Sequence, residues 1–149
     1  MAKPVLLVTR TLPAAIEARA ARDYDARLNA DDAHWAADGG EIARRAAGCC
    51  AAGILGAAGD GLDAACIAAL PESVRIIATF SVGTDHIDLG AAKARGIVVT
   101  NTPEVLSFAT AECAFTLLLM AARRAGEGER MVRAGRWAGW APTQLLGVT

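Results

Sequence analysis

The sequence predicts a doubly wound α/β domain on a parallel sheet, and three observations carry that prediction. Short apolar runs recur along residues 3–101. Helix-like segments lie between consecutive runs, the spacing expected of parallel strands joined by helical crossovers. Several of these segments also open on an aspartate, a residue whose side chain caps free N–H groups at a helix start.

Taken in order, Lys3 to Thr9 (KPVLLVT) reads as a buried strand. Pro13 to Arg22 reads as a helix opened by proline, which fits a first turn because no N–H is needed there. Asp25 to Asn29 is a weak strand. Asp38 stands where it can cap a helix running through Arg45, with Glu41 three residues on as in a capping box. Ala52 to Leu55 is the next strand, Asp63 caps a short helix ending before Pro71, and Val74 to Phe80 (VRIIATF) is the clearest strand of all. Asp88 caps Leu89 to Arg95, Gly96 stops that helix, and Ile97 to Asn101 is a strand. Five β-α units in succession predict a sheet of about five strands with flavodoxin-like topology.

The repeat breaks after Asn101. Thr102-Pro103 is a turn, and a helix is expected from about Ser107 to Arg124 carrying Phe108, Phe115, Leu117, Leu118, Leu119 and Met120. Such a helix is apolar on nearly every side, so it is expected to be covered on every side. From Arg133 onward, Trp137, Trp140, Leu145 and Leu146 sit on an arm with little periodicity, and large aromatics on an arm point to an interface. The predicted organisation is therefore a domain over residues 1–104, then a helix and arm over 105–149.

Composition narrows the function. The 149 residues suit one domain, or one domain carrying an appendage, and are enough to bury a core. Alanine, about a quarter of the chain and well above average usage, inflates the 54% hydrophobic fraction. A net charge of −1 excludes the basic footprint of a nucleic-acid binder. The most apolar run, Cys113 to Ala122, is far shorter than the ~20 residues of a membrane span. With no secretory pattern after Lys3-Pro4, the expected location is the cytoplasm. Cys49, Cys50, Cys66 and Cys113 show no C-x-x-C spacing, so they are expected to be reduced and mostly packed, with no metal site.

Three stretches could carry chemistry. Gly56-Ala-Ala-Gly59-Asp-Gly61 follows a strand and precedes a helix, yet its spacing is G-x-x-G-x-G rather than the dinucleotide G-x-G-x-x-G, and no acid ends the next strand at Thr79-Phe80-Ser81. It is expected to be a loop lining a cleft. Ser81-Val82-Gly83-Thr84-Asp85-His86-Ile87-Asp88 lies just beyond the clearest strand, where open α/β sheets bind ligands. There the main-chain N–H groups of Val82 and Gly83 could hold a small carboxylate, helped by the adjacent helix N-terminus. The residues fit equally well a turn made by Gly83 and a cap made by Asp88. His34 and His86 read as structural. A phospho-acceptor would need carboxylates where Thr9-Arg10 and Leu55-Gly56 stand, and a flavin loop would need more Gly, Ser and Thr than Arg10-Thr11-Leu12-Pro13 supplies.

Ser81 to Asp88, then Ala91-Ala-Lys-Ala-Arg-Gly-Ile-Val-Val-Thr-Asn-Thr-Pro103, Ala109-Thr-Ala-Glu112 and Arg123-Arg124 together resemble the D-isomer-specific 2-hydroxyacid dehydrogenases. Val132-Arg-Ala-Gly-Arg-Trp-Ala-Gly-Trp-Ala-Pro142 is most similar to the glyoxylate/hydroxypyruvate reductase branch. The resemblance implies an oxidoreductase that reduces 2-keto acids to D-2-hydroxy acids with NADH or NADPH. It implies that Val82 and Gly83 bind the substrate carboxylate through backbone amides, that Leu55 and Gly56 lie beside the substrate, and that Leu106 and Thr110 face the nicotinamide. It further implies a homodimer through residues 107–146, with Trp140 reaching into the partner's site. Glu104 stands where the family commonly has glycine. The family's G-x-G-x-x-G loop and its catalytic Arg, Glu and His find no counterpart in these residues, so no catalytic residue is expected here and the isolated chain is expected to be inactive. The residues themselves leave open a non-enzymatic dimerising or carboxylate-binding module.

Overall fold

The computed structural model describes residues 2–32, 35 and 40–139. The chain divides into two compact units, Met1–Glu104 and Val105–Thr149.

The first unit alternates strand and helix: β1 (Val5–Val8), α1 (Ala14–Asp23), β2 (Asp25–Arg27), α2 (Gly40–Gly48), β3 (Gly53–Ala57), α3 (Ala64–Ala69), β4 (Ile76–Phe80), α4 (Leu89–Ala94) and β5 (Val98–Thr100). The five strands form one parallel sheet in the order β2-β1-β3-β4-β5, the flavodoxin-like order that the alternation predicts. Leu7, Ile54, Ile77 and Val99 share one register row and therefore one face of the sheet. That face packs on Ile42, Ala43 and Ala46 of α2, Cys66 and Ile67 of α3, and Ala92 of α4. Trp35 joins the same core, and the Arg45 guanidinium lies 4.4 Å from its ring centroid. The opposite face is covered less completely. Val8, Leu12 and Ala20 are buried where α1 crosses, but Ile76, Phe80 and Val98 are 40%, 61% and 57% exposed.

The caps work as the sequence suggests. Asp63 accepts from the Cys66 N–H at 2.7 Å and Asp88 from the Ala91 N–H at 2.8 Å. Gly96 ends α4 at φ +68°, a left-handed conformation that costs a Cβ-bearing residue ~1–2 kcal/mol. Several boundaries shift, with β1, β4 and β5 a residue or two shorter at one or both ends than the sequence suggests. The weak strand ends at Arg27 instead of Asn29, because Asn29 turns its side-chain amide onto the Thr9 carbonyl at 2.8 Å. β3 continues two residues past Leu55, and α2 runs on to Gly48. His34 and Asp38 lie outside the described residues. Cys66 is buried and Cys49 half-buried, whereas Cys50 and Cys113 are exposed; all four are free thiols.

The second unit holds α5 (Ser107–Ala122) and α6 (Ala125–Arg133), the latter not foreseen from the sequence. Arg124 joins them at φ +53°, pairing with Glu127 at 2.7 Å. Neither helix has a buried residue in this chain: Phe108 is 82% exposed, Phe115 63% and Leu118 62%. Among the described residues, the all-round cover expected of α5 is thus not supplied. No helix of the described residues is long and apolar enough to cross a membrane.

Candidate functional site

Parallel strands deliver their loops to one edge, and at the carboxyl edge of this sheet the strand ends differ in what remains available. The end of β1 is closed by its own partners. Arg10 makes a bidentate pair with Asp32 at 2.8 and 3.0 Å, the Thr11 N–H donates to the same carboxylate at 3.0 Å, and Asp32 holds the guanidinium above its ordinary range. The end of β3 is closed from beneath. The buried Asp60 carboxylate accepts from Thr9 Oγ1 at 2.6 Å and from the Ala57 N–H at 2.8 Å.

That carboxylate decides what the glycine-rich stretch can do. Gly56 and Ala57 are strand residues rather than loop, and a Cβ on Gly56 would come within 3.0 Å of Asp60 Oδ2. A phosphate placed at this turn would meet a carboxylate already bonded to the N–H it needs, so Gly56 to Gly61 does not fit a dinucleotide. Leu55 and Gly56 point to opposite faces. Leu55 lines a cavity of about 240 Å³ together with Leu12, Pro13, Phe80, Asn101 and Thr102, while Gly56 sits over Asp60.

The end of β4 is the open one. The Val82 carbonyl accepts from Asn101 Nδ2 at 2.7 Å, and the Gly83 carbonyl from Ser81 Oγ at 2.7 Å. With both acceptors tied back, the N–H groups of Val82 and Gly83 remain; neither donates to a described residue. Two adjacent N–H groups beyond a strand end are the donor set for a small anion. The next helix adds little to it. α4 has only six residues, and its own Asp88 fills the N-terminus. Exposed Asp85 works against an anion: a Cβ on Gly83 would lie 3.0 Å from its Oδ2, so the residue is glycine by close approach.

The loop is rigidly placed. The Leu62 N–H donates to the His86 carbonyl at 3.0 Å and the Asp88 N–H to the Leu62 carbonyl at 2.9 Å, a parallel bridge tying the loops after β3 and β4 together. His86 Nε2 contacts Thr79 Oγ1 at 3.0 Å. No group of three or more His, Cys, Asp or Glu suits a metal among the described residues. Of the residues singled out by sequence, the structure brings Val82, Gly83, Leu55 and Gly56 to one edge of the first unit. Leu106 and Thr110 belong to the second unit, at the start of α5, where the Thr110 N–H donates to the Leu106 carbonyl at 2.8 Å. Trp140 lies outside the described residues.

Residues 6–143 match the model of the D-isomer specific 2-hydroxyacid dehydrogenase catalytic domain. The chain belongs to this family. It is 44% identical over 147 residues to glycerate dehydrogenase of Hyphomicrobium methylovorum, covering 99% of this chain and 44% of that protein. A putative D-isomer specific 2-hydroxyacid dehydrogenase, NAD-binding, from Polaromonas sp. JS6 66 superposes with a TM-score of 0.80 at 44% identity, over 99% of this chain and 44% of that one. An NADPH-dependent glyoxylate/hydroxypyruvate reductase from Sinorhizobium meliloti, solved with NADP and malonate, superposes with a TM-score of 0.71 at 30% identity, over 99% and 43%. The chain thus spans under half the length of these 2-hydroxyacid dehydrogenases.

Sequence reasoning misses the residues that shape the loop. By pattern, Asn101 is only the end of a strand, Ser81 only the start of a turn, and Asp60 only a spacer between glycines. Asn101 lies 19 positions from Val82, so no local motif links them. The one available signal is a short polar residue at the carboxyl end of a strand, where its side chain can reach the neighbouring loop.

Proposed function

We propose that these 149 residues form the substrate-binding part of a cytoplasmic NAD(P)-dependent 2-hydroxyacid dehydrogenase, which reduces 2-keto acids of the glyoxylate or hydroxypyruvate kind to D-2-hydroxy acids. The observation that carries this reading is the loop after β4, where both carbonyls are engaged and the Val82 and Gly83 N–H groups are left for a carboxylate. Leu55 walls the adjoining apolar cavity, suited to the carbon end of a small keto acid, and Gly56 holds the strand beneath it.

The nicotinamide supplies the hydride when bound. Within this chain Leu106 and Thr110 are the residues that face it, and the chain's own part is to bind and orient the acid. Because Gly56 to Gly61 does not fit a dinucleotide, the 149 residues alone bind a keto acid without turning it over. The large apolar side chains of α5 support a homodimer through residues 107–146, with Trp140 reaching the partner's site.

Two measurements on the purified 149-residue protein test this. Malonate, titrated into ¹⁵N-labelled protein, is expected to shift the Val82 and Gly83 amide signals ahead of all others, and unchanged signals there refute the carboxylate site. Mixing with NADPH and glyoxylate is expected to leave the cofactor oxidation rate at background, and turnover above it refutes the inactive half.

A further inference from the structure

The Gly83 carbonyl, which fixes the turn carrying the loop's N–H groups, is held by a chain of hydrogen bonds whose direction is set by counting protons. The Gly83 carbonyl oxygen only accepts, so the 2.7 Å contact from Ser81 Oγ uses the serine's single proton. Thr79 Oγ1 lies 2.7 Å from Ser81 Oγ, and with that proton committed the threonine is the donor. Its proton is then also used, so its remaining neighbour, His86 Nε2 at 3.0 Å, has to donate.

We propose that His86 is the positioning residue of the carboxylate-binding loop, its Nε2–H setting the direction Thr79 to Ser81 to the Gly83 carbonyl and so fixing the turn that presents the Val82 and Gly83 N–H groups to the acid. This rests on the carboxylate-binding function proposed for the same loop. The alternative tautomer shows why the histidine matters. With the proton on Nδ1, Nε2 accepts from Thr79, Ser81 turns its proton to Thr79, and the Gly83 carbonyl loses its donor. The imidazole is well held for the task. Its own carbonyl is fixed by the Leu62 N–H at 3.0 Å, the next residue is bridged to Leu62, and Thr79 is 2% exposed, so water does not readily replace the ring as its partner.

The full 149-residue chain, ¹⁵N-labelled, provides the test, with malonate as the probe. The His86 ring signals are expected to show the proton on Nε2. His86→Ala and Thr79→Val are each expected to weaken malonate on the order of tenfold, the scale of one lost hydrogen bond to a charged-ligand site. His86→Gln keeps an N–H donor at similar reach and is expected to recover most of that loss, which a purely structural role for the ring would not produce. An Nδ1–H ring, or malonate bound by His86→Ala as by wild type, overturns the proposal. If wild type itself gives no malonate response, the carboxylate reading falls. The positioning role is then decided by the ring tautomer and by whether the Val82 and Gly83 amide signals move in His86→Ala but not in His86→Gln.

Discussion

The two units use the same apolar residue types in opposite ways. In residues 1–104, Ile54, Leu62, Ile67 and Ile77 are fully buried, whereas in residues 105–139 the phenylalanines and leucines of α5 stand about half to four-fifths exposed. Apolar pattern alone does not distinguish them, since it records that a surface wants cover and not what provides it. In the sheet, cover comes from the crossover helices, which are neighbours in sequence because parallel strands require them. Among the described residues α5 has the short, polar α6 beside it, and neither helix has a buried residue. Even within the first unit the rule is visible, because Phe80 and Val98 lie on the half of the sheet face that α1 does not reach.

The largest effect expected on this contrast comes from opening the buried side. Ile54→Ala, at the centre of the sheet, is expected to cost about 2–5 kcal/mol, the range for truncating a fully packed aliphatic side chain, read as a lower urea midpoint. A loss below about 1 kcal/mol would mean that the core relaxes around the cavity more than packed interiors usually do. The corresponding change on the exposed side, Leu118→Ser, is expected to leave the urea midpoint of the first unit in place. It should instead weaken the proposed homodimer by about tenfold to a hundredfold for each copy of the side chain, from roughly 1.5–3 kcal/mol per buried leucine. Sedimentation across a dilution series reads this directly, and unchanged association removes α5 from the interface.

The same distinction explains how much is legible in the sequence. Strand and helix alternation, the Asp63 and Asp88 caps, and the Gly96 stop are local, each needing only residues within one or two turns, and all are in place. The position of Val82 and Gly83 just past a buried strand is also readable, because parallel topology sends every such loop to one edge. What shapes the loop for its proposed role is not readable. It depends on Asn101 reaching back 19 positions, on Asp60 bonding a threonine 51 positions away, and on the proton order of Thr79, Ser81 and His86. Those contacts exist only once the register of β1, β3, β4 and β5 is set. α6 escapes the pattern for a different reason: two glycines interrupt Ala125–Arg133, and the helix carries Arg124–Glu127 and Glu129–Arg133 pairs and a contact with α5 rather than a continuous apolar stripe.

A smaller effect is expected where the first unit ends. Glu104 sits at φ +65°, the left-handed region that favours glycine. Relief of the Cβ strain is worth about 1–2 kcal/mol. The extra freedom that glycine gives the unfolded chain takes back about 0.4–1 kcal/mol. Glu104→Gly is therefore expected to raise stability by roughly 0.5–1 kcal/mol, seen as a higher urea midpoint. A lower midpoint would show that the Glu104 side chain contributes more than its backbone costs.

The smallest expected effect lies on the surface of the first unit, at the end of α1. Asp23 closes a helix whose C-terminal end disfavours negative charge, yet Arg22 bonds its carboxylate at 2.7 and 3.0 Å and Arg19 lies 3.6 Å away. The Arg22 guanidinium, with Arg19 adding to it, holds the carboxyl below its ordinary 3.8. A carboxyl lowered by folding stabilises the protein above its unfolded value, and that contribution disappears as the pH falls through the folded one. Relative to Asp23→Asn, the wild type should therefore gain in thermal midpoint as the pH is raised from well below 3.8 to neutrality. Both partners are exposed, so the gain should shrink in high salt, unlike the cost of Ile54→Ala. A midpoint difference that does not change with pH would place the Arg22 pair among the surface contacts that contribute nothing to folding.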